Sequence, residues 1–468
     1  MSGGAAQTVQ SGQSRKVLDL PIPKVWAFAV GQFGWALLSG IISNWLVYFY
    51  QPDNETIAQG QTVFVPQGLA VLGVVTVVGG ITAFARFFDA FVDPAVASLS
   101  DRCQSAAGRR MPFLKCAALP LALVTVLVFW SPINGTSWVN GVFLFVAVIG
   151  YYIALTFYCT PYNALIAELG HDSKQQLTIS TAISFTWVAG TAIAYVAPVV
   201  WAGFVPGLGR VNAIRLTFSI MAAIALACML VPPLAIKERD YVNSQPTSES
   251  TVESLKQTFG DGEFRKFVCS DVVYWVAITT FQTGLPFFVT SLLKLPETTT
   301  TIYFVLMTVV SVLFYLPVNL MANHVGKKRI LLVAFAIFTC AFAFAGALGS
   351  GLLGAIPPMA QGLILSIVGA IPMAAFGILP QAIVANIADA SSKTTGQDRQ
   401  GMFYAARTFA MKMGQSVAML LFTGVSTIGM ASGTGYRIAA ICAAVLCGMG
   451  GLVFAFYNER KVLSVLES

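Results

Sequence analysis

Residues 71–94 read VLGVVTVVGGITAFARFFDAFVDP. The first fifteen carry no charge; Arg86, Asp89 and Asp93 then follow at spacing i, i+3 and i+7. An apolar run of this length suits a bilayer-spanning helix, which needs about 20 residues. The rest of the chain agrees. Its 468 residues are 56% hydrophobic and 10% charged, with a mean hydropathy of +0.75. Soluble domains carry roughly 25% charged residues, so the composition is that of a polytopic membrane protein.

Apolar runs and their polar punctuation give twelve spans, near 25–50, 67–97, 113–131, 139–168, 177–203 and 213–236, then 264–293, 300–322, 329–350, 355–389, 401–427 and 436–458. All are expected to be helices, because lipid leaves unpaired backbone groups unsatisfied. The short alternating segments of a barrel are missing. The expected fold is therefore an all-α membrane protein of twelve transmembrane helices in two six-helix bundles, 25–236 and 264–458. Between them, KERDYVNSQPTSESTVESLKQTFGDGE (237–263) is polar and reads as a cytoplasmic linker, with room for a short amphipathic helix over 251–259.

Charge orients the spans. Of the 27 basic residues, Arg210, Arg215, Lys294 and Arg437 fall on one side, and Arg86, Arg407 and Lys412 lie inside spans. The other twenty share the opposite side, which the positive-inside rule makes cytoplasmic. Both tails, 1–24 and 459–468, are then cytoplasmic. The first 24 residues lack an apolar core, so no cleaved signal peptide is expected. The net charge of +7 is accounted for by these loops, with no nucleic-acid partner implied. The eight cysteines sit mostly in apolar runs and read as packing residues. The two histidines lie in expected loops, so no His relay or metal centre is expected. Asn54-Glu55-Thr56 and Asn134-Gly135-Thr136 are sequons in expected external loops, a three-residue pattern that recurs by chance.

The two halves echo one another. SDRCQSAAGRRMPFL (100–114) follows the second span, and ANHVGKKRILL (322–332) follows the eighth. A glycine before paired basic residues at equivalent places is the trace of an internal repeat.

Ionisable residues inside a membrane are expensive and mark function. Asp89 and Asp93, four apart, share one helical face, with Arg86 on the same side as local partner. Asp89 lies about 18 Å from the Asp101 end of its helix, and Lys412 about 16 Å from the start of the eleventh span. An acid pair in one half and a lysine in the other thus share a depth. Two neighbouring carboxylates repel unless a cation sits between them. Oxygen ligands suit a hard monovalent ion, Na+, or a proton in its place, and Thr156 adds a hydroxyl. Lys412 competes for the same charge, which is a physical basis for coupling. The same residues also fit a structural Asp–Arg–Lys network between the halves. Arg407, about 9 Å in from the same end, fits snorkelling or a cytoplasmic gate. Asp101, Arg102, Arg109 and Arg110 are expected to form salt links that break when the cytoplasmic side opens. Glu168, Asp271 and Asp389 read as interfacial. There is no GxxxxGK[ST] nucleotide motif, no nucleophile–base set and no cofactor motif, so neither an enzyme nor a primary pump is expected.

ARFFDAFVDPAVASLSDRCQSAAGRRMPFL (85–114), with its D-x-x-x-D-P, S-D-R and G-R-R-x-P-F, resembles the signature of the glycoside–pentoside–hexuronide:cation symporters of the major facilitator superfamily. GQFGWALLSG (31–40), TFYCTPYNAL (156–165) and RTFAMKMGQS (407–416) extend the resemblance over most of the chain. It implies the two-bundle major facilitator fold and alternating access, with the coupling cation at Asp89 and Asp93, Thr156 nearby and Lys412 facing them. The sugar-binding aspartates of melibiose permease, a member of that group, fall at Ala36 and Cys159 here, its sugar-engaging arginine near Ile183 and its tryptophan at Asn163. The cation half of the pattern is kept and the galactoside half lost. Candidate lining residues are Trp35, Phe157, Tyr158, Tyr162, Asn163, Trp187, Tyr274, Trp275 and Gln282. The expected activity is symport of Na+ or H+ with a sugar, glycoside or uronide across a plasma or inner membrane, by a monomer without cofactors. A lysolipid or other amphiphile as cargo stays open. So does a non-transporting receptor or scaffold, although a scaffold has no need for buried paired aspartates.

Overall fold

The computed structural model describes residues 18–71, 73, 75–105, 107–170, 173–242, 258–395, 400–429 and 432–467. Among these, twelve helices have 18 residues or more. They are α1 Ile22–Tyr50, α2 Val77–Asp101, α3 Met111–Val128, α4 Trp138–Leu169, α5 Ser173–Leu208, α6 Arg210–Ala235, α7 Gly262–Phe287, α8 Thr298–Val325, α9 Lys327–Ala347, α10 Pro358–Thr395, α11 Gln400–Val425 and α12 Thr434–Ala455. Ten are long and apolar enough to cross a membrane; the other two are α2 and α11. These two carry Arg86, Asp89, Asp93, Arg407 and Lys412, and they pack on one another.

α1–α6 pack among themselves, as do α7–α12, and the halves meet along α2 with α11, α5 with α8, and α1 with α7. Hydroxyl and carboxylate caps set several starts: Thr76 accepts from Gly79 N at 3.0 Å, and Asp261 from Phe264 N at 2.8 Å. Such caps satisfy donors that a helix N-terminus leaves open.

Three features add to or correct the sequence reading. α2 begins at Val77, not near 67. Gly68 and Gly73 hold φ of 74° and 70°, and Val71 bridges Val75, so the described residues of the apolar 67–76 form turns ahead of the helix. The seventh span ends in a π-helical turn, Phe288–Leu292. The expected C-terminal tail forms a helix, Glu459–Glu467, against α10; Val462 is buried there, and Lys393 Nζ donates to the Leu466 carbonyl at 2.7 Å. The linker opens with a short helix, Glu238–Tyr241, and the amphipathic helix expected over 251–259 falls almost wholly outside the described residues.

The G-R-R and G-K-K echo has a structural cause. Glu238, just after α6, accepts from the backbone N–H of Arg109 at 2.7 Å and of Arg110 and Met111 at 2.8 Å, at the start of α3. Glu459, just after α12, accepts from Lys327 N at 2.9 Å and Lys328 N at 3.1 Å, at the start of α9. The carboxylate of the sixth helix's exit thus caps the third helix in each half, where the helix dipole favours it. The preceding glycines make room. Gly108 has φ 117°, and a Cβ there would lie 2.3 Å from Glu238 Oε2; Gly326 has φ 97°, with 3.0 Å to Glu459 Oε2. Gly108→Ala is therefore expected to destabilise the fold by about 2–4 kcal/mol, from backbone strain and a lost cap. Thermal unfolding in detergent should show a larger drop for Gly108→Ala than for Gly326→Ala.

The halves are joined at the end remote from the chain termini. Gln51 Nε2 donates to Ser426 Oγ and the Thr423 carbonyl, each at 2.9 Å. Asp53 accepts from Thr290 Oγ1 at 2.7 Å and from Ser291. Lys294 Nζ meets Glu55 at 2.6 Å, and Thr301 donates to the Tyr195 carbonyl at 2.5 Å. At the terminus end, ion pairs run within a half: Arg110 to Asp101 and Glu168, Arg109 to Glu168, and Lys266 to Glu263.

Candidate functional site

The α2–α11 seam carries the site. α2 presents Asp89 and Asp93 on one face, and α4 packs beside it with Thr156 and Thr160 at the same four-residue spacing. Thr156 Oγ1 donates to Asp89 Oδ1 at 2.5 Å, and Thr160 Oγ1 to Asp93 Oδ1 at 3.1 Å. From the other half, Lys412 Nζ lies 2.7 Å from Asp89 Oδ2 and also bonds Asp93 Oδ2. One ammonium thus bridges two carboxylates, each held from behind by a threonine hydroxyl. The Asp89 side chain is 7% exposed, whereas that of Asp93 is 26% exposed, so access to the pair is from the Asp93 side. Pro94 has no N–H, so the Ala90 carbonyl, between the two aspartates, loses its helical partner.

The arrangement holds two negative charges against one positive at a place lipid would not solvate. Six oxygens, four carboxylate and two hydroxyl, surround the position of Lys412 Nζ or lie behind it. A small cation or a proton that entered would take the place of the ammonium. Above the site, Ser416 Oγ donates to the Ala83 carbonyl at 2.7 Å, and Gly79 lets α2 approach α11 so closely that a Cβ would lie 2.0 Å from Thr423 Oγ1.

The family model described as "MFS/sugar transport protein" matches residues 27–456. The chain belongs to that family. It is a multi-pass integral membrane protein. Among curated relatives, the inner membrane symporter YicJ of Escherichia coli (strain K12) is 26% identical over 227 residues, 47% of each chain. The isoprimeverose transporter of Lactiplantibacillus pentosus is 23% identical over 266 residues, 56% of this chain and 51% of the relative. The matched region thus spans about half the length of these relatives. The structure resembles the nucleoside transporter NupG at TM-score 0.63 and 14% identity, over 93% of this chain and 100% of that one. It resembles a D-xylose–proton symporter at TM-score 0.62 and 16% identity, over 94% and 97%. These likenesses establish the major facilitator fold.

Within this family's fold, several expected roles change. Arg86 is not the local partner of the aspartates. Its Nη1 donates to Gln415 at 2.5 Å, its Nη2 to Ser43 at 3.1 Å, and its guanidinium lies over the Tyr152 ring at 5.6 Å. It ties α2 to α1 and α11 one turn from Asp89. Arg407 neither snorkels nor faces a gate: it is buried and forms a two-point pair with Asp271 at 2.8 and 3.1 Å. That pairing also moves Asp271 from the interface to the interior of the half. Arg110 pairs with Asp101 and Glu168, and Arg109 with Glu168, all inside the N-terminal half, so opening between the halves need not break these links. Arg102 is exposed beside them.

The candidate lining residues divide. Trp35 and Trp187 face each other with ring centroids 4.9 Å apart. Among the described residues, the buried indole N–H groups of Trp35 and Trp275 have no hydrogen-bond partner. Asn163 is exposed and Gln282 half-buried. Four others are packing residues. Tyr158 donates to the Met229 carbonyl at 3.0 Å, and Tyr162 to the Phe28 carbonyl at 2.7 Å while stacking on Phe28. Tyr274 stacks on Phe376 at 3.9 Å. Phe157 lines an apolar groove of about 510 Å³ between α3 and α4, within one half. Sequence reasoning passed over Thr160, although it repeats the i, i+4 spacing of the aspartates from Thr156.

Proposed function

We propose that the chain is a cation-coupled symporter that works by alternating access, with all twelve helices spanning the membrane and both termini in the cytoplasm of a plasma or inner membrane. The observation that carries this reading is Lys412 of one half bridging Asp89 and Asp93 of the other. An ion pair between halves that also occupies the carboxylates makes cation entry and movement of the halves the same event. Na+ or H+ at Asp89 and Asp93, with Thr156 and Thr160, displaces Lys412 and loosens the α2–α11 seam. Solute then binds between the halves, where Trp35, Trp187 and Trp275 offer aromatic faces and Trp35 and Trp275 offer indole donors without a partner among the described residues. After release to the cytoplasm, Lys412 returns to the aspartates, and the bonds at the remote end close the outside. The bonds between the halves at the end remote from the chain termini support the reading of such a closed state.

The solute class is a sugar, glycoside or uronide, supported by the family description and by the isoprimeverose transporter among the relatives. A thermal-shift screen in detergent tests the whole reading. Sugars, uronides and lysolipids are added with sodium or choline across pH. The expected result is that one cation and one sugar-type solute stabilise more together than the sum of their separate effects. Purely additive shifts would remove coupling from the reading, and synergy confined to lysolipids would reassign the cargo.

A further inference from the structure

Glu297 lies in the loop between α7 and α8 and belongs to the C-terminal half. Yet the four hydrogen bonds to its carboxylate come from the N-terminal half. Tyr48 Oη and Arg210 Nη2 donate to Oε2 at 2.9 and 2.5 Å. Trp201 Nε1 and Arg210 Nη1 donate to Oε1 at 2.5 and 3.0 Å. All four residues are more than nine-tenths buried, with exposures of 3% for Tyr48, 1% for Trp201, 6% for Arg210 and 8% for Glu297. Gln59 Oε1 accepts from Arg210 Nη1 at 3.0 Å, and the Trp45 ring stands edge-on against Trp201 at 5.1 Å, so the donors are held in place.

We propose that Tyr48, Trp201 and Arg210 form a carboxylate-binding site of the N-terminal half, filled here by the chain's own Glu297 and available to a small organic carboxylate when the halves part at this end. The donor set is matched to that group. The planar guanidinium fork engages both oxygens at once, and the indole and phenol each add a donor from the side. The inference rests on alternating access, because Glu297 leaves the cage only if the C-terminal half moves away. A buried guanidinium left without its partner is unfavourable. A carboxylate solute that refills the cage binds only the open form and so shifts the population toward it. Glu297 then acts as an internal competitor, and arrival of an acidic solute at the outer mouth is linked to opening.

Glu297→Ala tests this without any transport measurement, because it leaves a carboxylate-sized vacancy on unchanged donors. The purified full-length variant is titrated with sodium acetate, and with sodium chloride at equal sodium and ionic strength, while the melting temperature is followed. Acetate is expected to raise the melting temperature of Glu297→Ala saturably by several degrees, with chloride having no such effect. Wild type, whose cage is filled, and the double variant Glu297→Ala/Arg210→Gln should both lack the rise. Equal responses to acetate and chloride, or an undiminished acetate response in the double variant, would overturn the site. Where Glu297→Ala does not fold, Glu297→Ser, which also vacates the cage and suits the N-cap of α8, takes its place; a saturable rise with acetate supports the site, and no difference from chloride overturns it. Sodium–solute synergy in the screen above is independent of this result, so failure of the cage and failure of the symport reading are separable.

Discussion

Asp93→Asn is expected to lose cation binding and with it uptake against a gradient. The substitution keeps the shape that Thr160 and Lys412 contact and removes one of the two charges. A unit charge about 4 Å away contributes about 4 kcal/mol at the effective dielectric of a partly wet protein site, close to a thousandfold in cation affinity. Stabilisation of the purified protein by sodium over choline, or by acid if the proton is the coupling ion, should therefore vanish across the accessible range. Concentrative uptake into proteoliposomes should vanish with it. Full accumulation by this variant in an imposed sodium or proton gradient would end the model. The folded yield should change little, because Asp93 is the more exposed of the two carboxylates.

Lys412→Ala acts in the opposite direction on the ion. Its ammonium occupies Asp89 and Asp93 together, so removing it leaves two neighbouring carboxylates with no ion-pair partner among the described residues. They then hold a cation more tightly, by at least about tenfold, since the competitor contributed a Coulomb term of the same size as the ion's. The sodium or proton midpoint for stabilisation falls, while coupled uptake is lost because nothing refills the empty site for the return step. The two substitutions thus shift ion affinity with opposite signs. A purely structural network predicts something else: both variants unfold more readily, and neither changes the response to ions. Titrating sodium and pH against the melting temperature of both variants distinguishes these outcomes.

The carboxylate pair, the lysine and Thr156 were legible in the sequence because each signal is local. A charge inside an apolar run stands out on its own, and the i, i+4 spacing puts Asp89 and Asp93 on one face whatever surrounds the helix. Depth along a helix follows from counting residues, which brought Lys412 to the same level from more than 300 positions away. Thr160 was equally within reach, since it lies one turn beyond Thr156. The glycine and basic-pair repeat was visible for the same reason, although its cause, a carboxylate returning from the sixth helix of each half, was not.

Partners across the fold were another matter. Arg86 sits at the right spacing to serve Asp89, but α11 brings Gln415 and α1 brings Ser43 within bonding distance first. Asp271 and Arg407 looked peripheral, and only the packing of α7 on α11 makes them a buried pair. The aromatic candidates show the same limit: a tyrosine's position along a helix does not say whether its hydroxyl meets solvent or, as for Tyr158 and Tyr162, a neighbouring carbonyl. Most of all, Arg210 entered the sequence reading only as one basic residue of the non-cytoplasmic side, and Glu297 did not enter it. Their meeting inside an aromatic cage depends on how two six-helix halves lean together. An apolar, helical, two-part membrane chain with an acid pair at mid-depth could be read from residue order, because periodicity and the expense of charge in lipid act residue by residue. The tertiary structure alone decided which charges meet, because a pairing distance of a few ångströms is set by the relative placement of whole helices.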